Sequence, residues 1–276
     1  MLIISTDSCA DLSLNLMVAH GIEVIPLHVL VAGKDYYDND LTLDQLFASV
    51  KETGELPKTA APSVQEFLKF FNRKGPIIYI GLSSKLSATM QNAQLAADQL
   101  KKDDLFLIDS LNLSTGIGLL TLKAADLRAS GMPAIRIVQE LTNIRSKVKT
   151  AFVIDTMEYL HKGGRCTGLQ AIVGSMLQIR PIIHVQPDGT LGVLDKVRGG
   201  RKKALDALLT RFIADLPQID PNRVFVTHSG CEADAVYLVE AIKEHTQIEK
   251  VFITVAGATI ASHCGPNTIG ILYITK

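Results

Sequence analysis

The chain has 276 residues, with 28 lysines and arginines against 28 aspartates and glutamates, 47% hydrophobic residues, 5% aromatic residues, no tryptophan and four cysteines. At roughly 100–200 residues per domain, this length fits two domains or one large one, with ample chain to bury a core. A net charge of zero excludes the overall attraction on which general nucleic-acid and anionic-membrane binders rely, and leaves room only for local patches.

The chain opens with Met1-Leu-Ile-Ile-Ser-Thr-Asp7, which has no basic stretch or cleavage site and reads as a first strand, Leu2 to Ser5. Asp11 to His20 reads as a helix capped by Asp11 and ended by Gly21, and Ile22 to Val31 as one extended run. Thr42 to Glu52 is helical, with Leu43, Leu46, Phe47 and Val50 on one face. Pro57 to Ser63 is a polar loop between two prolines. Ser63 then caps a helix through Phe71, and Glu66 completes a capping box. The strand Ile77 to Leu82 runs into a helix opening at Ser83 and reaching about Lys101. Leu105 to Ile108 is a strand, Leu113 to Ser130 a helix, and a further helix follows Gly131-Met-Pro133 to near Lys149. This alternation is the pattern of βα units on a parallel sheet.

Beyond about Thr150 the pattern changes. Strands are expected at Ala151 to Ile154, Ile179 to Val185, Leu191 to Val197, Arg223 to Thr227, Lys250 to Val255 and Ile269 to Ile274. Pro187-Asp188-Gly189 forms a hairpin turn between two of them. The fold class is therefore α/β with two domains: a parallel-sheet α/β domain over residues 1–148 and a mixed α+β domain over residues 149–276. The most apolar stretches, Ile22 to Ala32 and Ala171 to Val185, are broken by Glu23, Pro26 and His28, or by Gln178, Arg180 and Pro181. Neither reaches the roughly 18 apolar residues of a membrane span. Cys9, Cys166, Cys231 and Cys264 form no C-x-x-C pair, so reduced thiols in a cytoplasmic protein are expected, with no zinc site or disulfide framework.

Several segments can carry chemistry. Ser83, Ser84 and Ser87 sit where a strand gives way to a helix, a place whose free N–H groups suit a carboxylate or phosphate; one of them acting as a plain N-cap is an equal reading. Thr59 is a hydroxyl fixed between Pro57 and Pro62, or else part of a solvated turn. Gly163-Gly-Arg165 joins a bendable backbone to a guanidinium that can fork onto an anion. Lys196 to Lys203, including Arg198, holds five cations within eight residues, either a solvated face or a patch for an anion or acidic partner. His263 precedes Gly265-Pro266, where an imidazole can meet an anion, shuttle a proton or serve structure alone. There is no G-x-G-x-x-G, P-loop, H-E-x-x-H or G-x-S-x-G motif, which disfavours ordinary dinucleotide, ATP and α/β-hydrolase chemistry.

Ser5-Thr-Asp-Ser8 with Asp11-Leu12, the Thr59 to Pro62 loop and Leu82-Ser-Ser-Lys-Leu-Ser87 begin an ordered set of motifs. Asp155-Thr-Met-Glu-Tyr-Leu160, Gly163-Gly-Arg165, Lys196-Val-Arg198, His263-Cys-Gly-Pro266 and Gly270-Ile-Leu-Tyr273 complete it. The set spans the chain and resembles the DegV family of bacterial fatty-acid-binding proteins. Two stretches depart from the family pattern: Thr59-Ala-Ala-Pro62 where it usually reads Thr-Ser-Gln-Pro, and Ser87-Ala-Thr-Met90 where it reads Ser-Gly-Thr-Tyr. Both bear on the fit of the carboxylate and the choice of acyl chain.

The resemblance implies a non-catalytic carrier that holds a single long-chain fatty acid in a buried apolar tunnel. Its partner would be a separate ATP-dependent fatty-acid kinase subunit, which converts the carboxylate to an acyl phosphate for phospholipid synthesis. The carrier itself would need no cofactor and no metal. Thr59 and a serine among Ser83, Ser84 and Ser87, with Ser84 foremost, would hold the carboxylate, and His263 would reach it. Arg165 and Arg198 would face the transfer site or the partner. A second reading is a small-molecule enzyme acting on a phosphorylated or carboxylated substrate with Arg165, Arg198 and His263. A third is a module whose basic cluster docks an acidic partner. A closed apolar tunnel favours the carrier, and a wet polar cleft the enzyme.

Overall fold

The computed structural model describes residues 1–165 and 179–276. Cys166, the Thr167-Gly168 end of the glycine-arginine motif and the first part of the 171–185 apolar run lie outside the described residues.

The first half runs β1 (Ile3–Asp7), α1 (Leu14–Ala19), β2 (Ile22–Ile25), β3 (His28–Val31), β4 (Lys34–Tyr37), α2 (Leu43–Thr53), β5 (Lys58–Ala60) and α3 (Val64–Phe71). It continues with β6 (Ile77–Gly81), α4 (Thr89–Leu100), β7 (Leu105–Asp109), α5 (Thr115–Ala129) and α6 (Ala134–Ile144). Strands β2-β1-β6-β7 form a parallel sheet. All five residues of β6 are buried, as expected for a central parallel strand covered on both faces. Ile77 and Tyr79 pack with Phe67 and Phe71 of α3 and Ala93 and Ala96 of α4. Ile78 and Ile80 face the other way, into the main core with Ile117 and Leu120 of α5.

The expected single run 22–31 is two strands in two sheets. Pro26 follows β2, and the chain turns so that β3 joins an antiparallel sheet of order β4-β3-β5. The expected loop 57–63 contains β5, a strand of three residues that exists because Thr59 pairs with Val29. The helix expected from Asp11 starts at Leu14, capped by Ser13, and Asp11 turns inward with φ 49°. The helix expected from Ser83 starts at Thr89. The one expected to reach Lys149 stops at Ile144, so that Val148 can pair with Ile274.

The second half holds β8 (Val148–Val153), α7 (Glu158–Lys162), β9 (Ile179–Val185), β10 (Leu191–Arg198), α8 (Arg201–Asp215), β11 (Ile219–His228), α9 (Glu232–His245), β12 (Lys250–Val255), α10 (Ala258–Cys264) and β13 (Ile269–Thr275). Its six-stranded sheet has the order β10-β9-β8-β13-β11-β12. It is mixed: β11 and β12 run parallel and the other neighbours antiparallel. Gly189, at φ 87°, closes the β9–β10 turn.

Side chains alternate across this sheet as strand geometry requires. Val153, Ile271 and Tyr273 pack with Leu208 and Phe212 of α8 and Leu238 of α9. Phe152 and Leu272 join the main core, which continues through α5 to Ile4 and Ile80 of the parallel sheet. The small sheet and α2 close over α10, whose Ala258 and Ala261 pack with Val29, Val31 and Leu46. Thus β5, α10 and the loop after β6 meet at one place.

Candidate functional site

Helix α10 begins between two buried carboxylates. Asp11 Oδ1 accepts from Gly257 N–H at 2.8 Å and Asp38 Oδ1 from Thr259 N–H at 2.8 Å. Asp11 Oδ2 also accepts from the Ser114 hydroxyl at 2.5 Å. Acceptors at a helix start satisfy N–H groups that otherwise lack partners. Burial pushes both carboxyls above the usual carboxylate range, against the pull of these hydrogen bonds. Asp7, the last residue of β1, accepts from Tyr79 Oη at 2.9 Å, Leu82 N–H at 2.8 Å and Cys9 N–H at 3.1 Å. Burial raises its pKa to about 6. These three acids fix α10 and the start of the loop after β6.

So held, α10 presents His263 from its last turn to β5. Thr59 Oγ1 and His263 Nε2 are 2.7 Å apart. Burial, aided by the positive charge of Arg165, lowers the imidazole pKa to about 4, so the ring is neutral at pH 7 and carries one N–H. His263 Nδ1 is buried with no hydrogen-bond partner among the described residues. It faces Gly163, where a Cβ would lie 2.5 Å from Nδ1. That contact explains the first glycine of the Gly-Gly-Arg segment; the second, Gly164, turns the chain at φ 72°. Arg165 Nε then donates to Leu86 O at 3.0 Å and Nη1 to Gly163 O at 2.5 Å, fixing a half-buried guanidinium over the loop.

Thr59, Ser87, Arg165 and His263 border a cavity of about 190 Å³ whose remaining walls are mostly apolar, among them Leu27, Leu82, Leu86, Leu160, Leu191 and Ile260. A smaller cavity of about 30 Å³ shares Leu113, Ile260 and Cys264 with it and extends to Phe152 and Leu272 of the six-stranded sheet. One end therefore offers hydroxyls, an imidazole and a guanidinium, and the apolar remainder leads into the core.

The other expected residues sit elsewhere. Ser83 is buried, and its hydroxyl donates to Gly189 O at 2.9 Å, tying the loop to the β9–β10 turn. Ser84 is exposed, and its N–H points to the Asp109 carboxylate at 3.3 Å. Neither lines the cavity or belongs to α4, so a helix N-terminus built from these serines is corrected. Ser87 does line the cavity; its Oγ lies 2.8 Å from Thr89 Oγ1 at the start of α4. Arg198 is exposed at the end of β10, opposite Ile179, outside the cavity lining. The five-cation cluster is partly neutralised: Arg201 contacts Asp155 at 2.9 Å and Asp234 at 2.5 Å, and Lys202 contacts Asp206 at 3.4 Å.

Sequence reasoning missed Asp38 entirely and gave Asp11 a capping role. The available signal was that Asp7 ends and Asp11 follows the first strand of a parallel sheet, at the carboxyl end where such folds build sites. Among the described residues, no group of three or more His, Cys, Asp and Glu side chains could hold a metal ion.

Comparison with known proteins agrees with the motif pattern. A family model described as "Uncharacterised protein, DegV family" matches residues 1–276. A DegV domain-containing protein of Caldanaerobacter subterraneus is 31% identical over 99% of this chain and 98% of its own. A solved DegV family protein of Thermus thermophilus, described by its fatty-acid binding, is 30% identical with a TM-score of 0.93, covering 100% of this chain and 99% of its own. The fatty acid kinase B3 protein of Streptococcus pneumoniae, solved with linoleic acid, shares the fold over 100% of both chains at TM-score 0.87 and 24% identity.

Proposed function

Because the chain belongs to the DegV family, we propose that it binds one long-chain fatty acid, with the carboxylate at Thr59, Ser87 and His263 and the acyl chain along the apolar walls. The observation that carries this reading is the Thr59–His263 pair at the polar end of an otherwise apolar cavity. The fatty-acid binding described for the Thermus protein supports it.

The chemistry follows from one proton. With that proton on His263 Nε2, the imidazole donates to Thr59 Oγ1, and the threonine hydroxyl is free to donate to a carboxylate. Ser87 supplies a second hydroxyl and Arg165 the nearby positive charge. A buried anion needs such partners, since leaving it without them costs several kcal/mol. Tail burial at roughly 0.8 kcal/mol per CH₂ dominates affinity, while the polar end fixes direction.

In this reading the protein is a non-catalytic carrier, and its partner is an ATP-dependent fatty-acid kinase that forms an acyl phosphate for phospholipid synthesis. The fatty acid is its ligand, and it needs no cofactor. The shared fold of the kinase B3 protein and the ordered motifs support the partner. Residues 1–148 and 149–276 are the two domains, with the carboxylate where they meet. The carrier works in the cytoplasm in this reading; no helix among the described residues is long and apolar enough to cross a membrane. Apolar walls favour the carrier over an enzyme using Arg165, Arg198 and His263, because Arg198 lies away from the other two.

Arg165 at the cavity and Arg198 on the surface would meet the partner or the charge developing on the phosphoryl group. The test is kinase turnover of fatty acid presented by this protein. Arg198→Ala is expected to keep full loading while slowing acyl-phosphate formation at least tenfold. Normal turnover by that variant would remove Arg198 from the transfer role, and no turnover with the unaltered protein would remove the kinase.

A further inference from the structure

The six-stranded sheet has a second concave site on its far side. Phe152 and Leu272 face the main core and the small apolar cavity, whereas Ala151, Ile271 and Tyr273 on the same strands face α8. Between that far face and the C-terminal half of α8 is an open cleft of about 410 Å³, larger than the cavity at Thr59. Its floor includes Leu194, Leu208, Phe212 and Ile271.

Its rim is cationic although the chain as a whole is neutral. Arg145 follows α6, Lys149 lies in β8 and Arg211 in α8, so three separate elements each bring one cation to the cleft. Among the described lining residues the single carboxylate is Asp215, which already accepts from Tyr273 Oη at 2.6 Å. Arg145 Nη1 donates to Asp109 O at 3.1 Å, and Arg211 Nη2 contacts Asp195 at 2.7 Å; these bonds hold both guanidiniums in place. His184 lines the same space, and burial together with the charges of Lys149 and Arg211 lowers its pKa. An apolar floor with a few converging polar groups is the usual make-up of a small-molecule site.

We propose that this cleft binds a small organic phosphate, with an apolar or planar group on the Leu208–Phe212 floor and the phosphate among Arg145, Lys149, Arg211 and His184. With Asp215 and the Arg211 partner Asp195 counted, the three cations leave a net charge of about +1, so what favours a phosphate over a carboxylate is its third acceptor oxygen for donors brought by three separate elements. A phosphate monoester brings about −1.5 to −2 at pH 7 and three acceptor oxygens. The site is separate from the fatty-acid reading and stands or falls without it.

Phenyl phosphate is the probe, titrated into the full chain by calorimetry while the His184 ring resonance is followed by NMR. Saturable binding with an upward shift of the His184 pKa is expected. Inorganic phosphate and benzoate each bind more weakly, because one lacks the apolar group and the other the third acceptor oxygen. Lys149→Ala and His184→Gln each weaken phenyl phosphate about tenfold, the scale of one charge-assisted contact, and leave fatty-acid content unchanged. Absence of saturable binding, benzoate binding as tightly as phenyl phosphate, or affinity in both variants unchanged from the unaltered protein would overturn the proposal.

Discussion

Thr59 Oγ1 and His263 Nε2 lie 2.7 Å apart although 204 positions separate them in the chain. The contact joins the small antiparallel sheet to α10, and it stands at the polar end of an apolar cavity. Thr59→Val keeps the shape of that side chain and removes its hydroxyl. The expected result is a fatty-acid Kd about tenfold or more weaker, since a hydrogen bond to a charged group contributes roughly 1.5–3 kcal/mol. Calorimetric titration of delipidated protein measures it, and an unchanged Kd counts against Thr59.

Gly163→Ala tests the position of the imidazole without touching either partner. The added Cβ would lie 2.5 Å from His263 Nδ1 and 2.8 Å from Tyr159 O, so the ring or the turn must move. Affinity is expected to fall to a degree similar to Thr59→Val, and the two effects to combine less than additively, because they disrupt one contact. Full additivity in the double variant would separate Gly163 from the Thr59–His263 pair.

The pH dependence of stability has a defined sign at His263. Its folded pKa of about 4 lies below the ordinary 6.5, so burying the neutral ring contributes stability above pH 6.5 that is lost as pH falls toward 4. Thermal melts at pH 7.5 and pH 4.5 are expected to show a smaller drop for His263→Gln than for the unaltered protein. Equal drops would mean the ring is not held neutral.

Asp7 works in the opposite sense. Its folded pKa is about 6 against an ordinary 3.8, so the protonated carboxyl contributes stability fully present below pH 3.8 and lost as pH rises through about 6. Between pH 4 and 7 the stability difference is expected to move about 2.4 kcal/mol in favour of Asp7→Asn relative to the unaltered protein. Denaturant titrations at the two pH values give that difference, and a constant value contradicts the buried acid.

Elements with strong local signals were legible before any coordinates. Ser63 makes the capping box its sequence announces, Pro187-Asp188-Gly189 turns the hairpin, and the apolar run 77–81 is the buried central strand. Long-range pairing hid the rest. Strand β5 depends on β3, and the Asp11 carboxylate reaches Gly257 across 246 positions instead of capping its neighbour. Ser83, Ser84 and Ser87 look alike in sequence. Distant partners, Gly189 for Ser83 and Asp109 for Ser84, separate them from Ser87 at the cavity. Thr59, Arg165 and His263 carried weak individual signals, and their ordered family pattern made them candidates before β5, α10 and the glycine turn set them side by side.

Native mass spectrometry of the purified protein tests the central claim most directly. The fatty-acid reading predicts a mass increment of one acyl chain per polypeptide, removed by delipidation and restored by adding a long-chain fatty acid. A bare polypeptide that takes up no fatty acid when one is offered would contradict it.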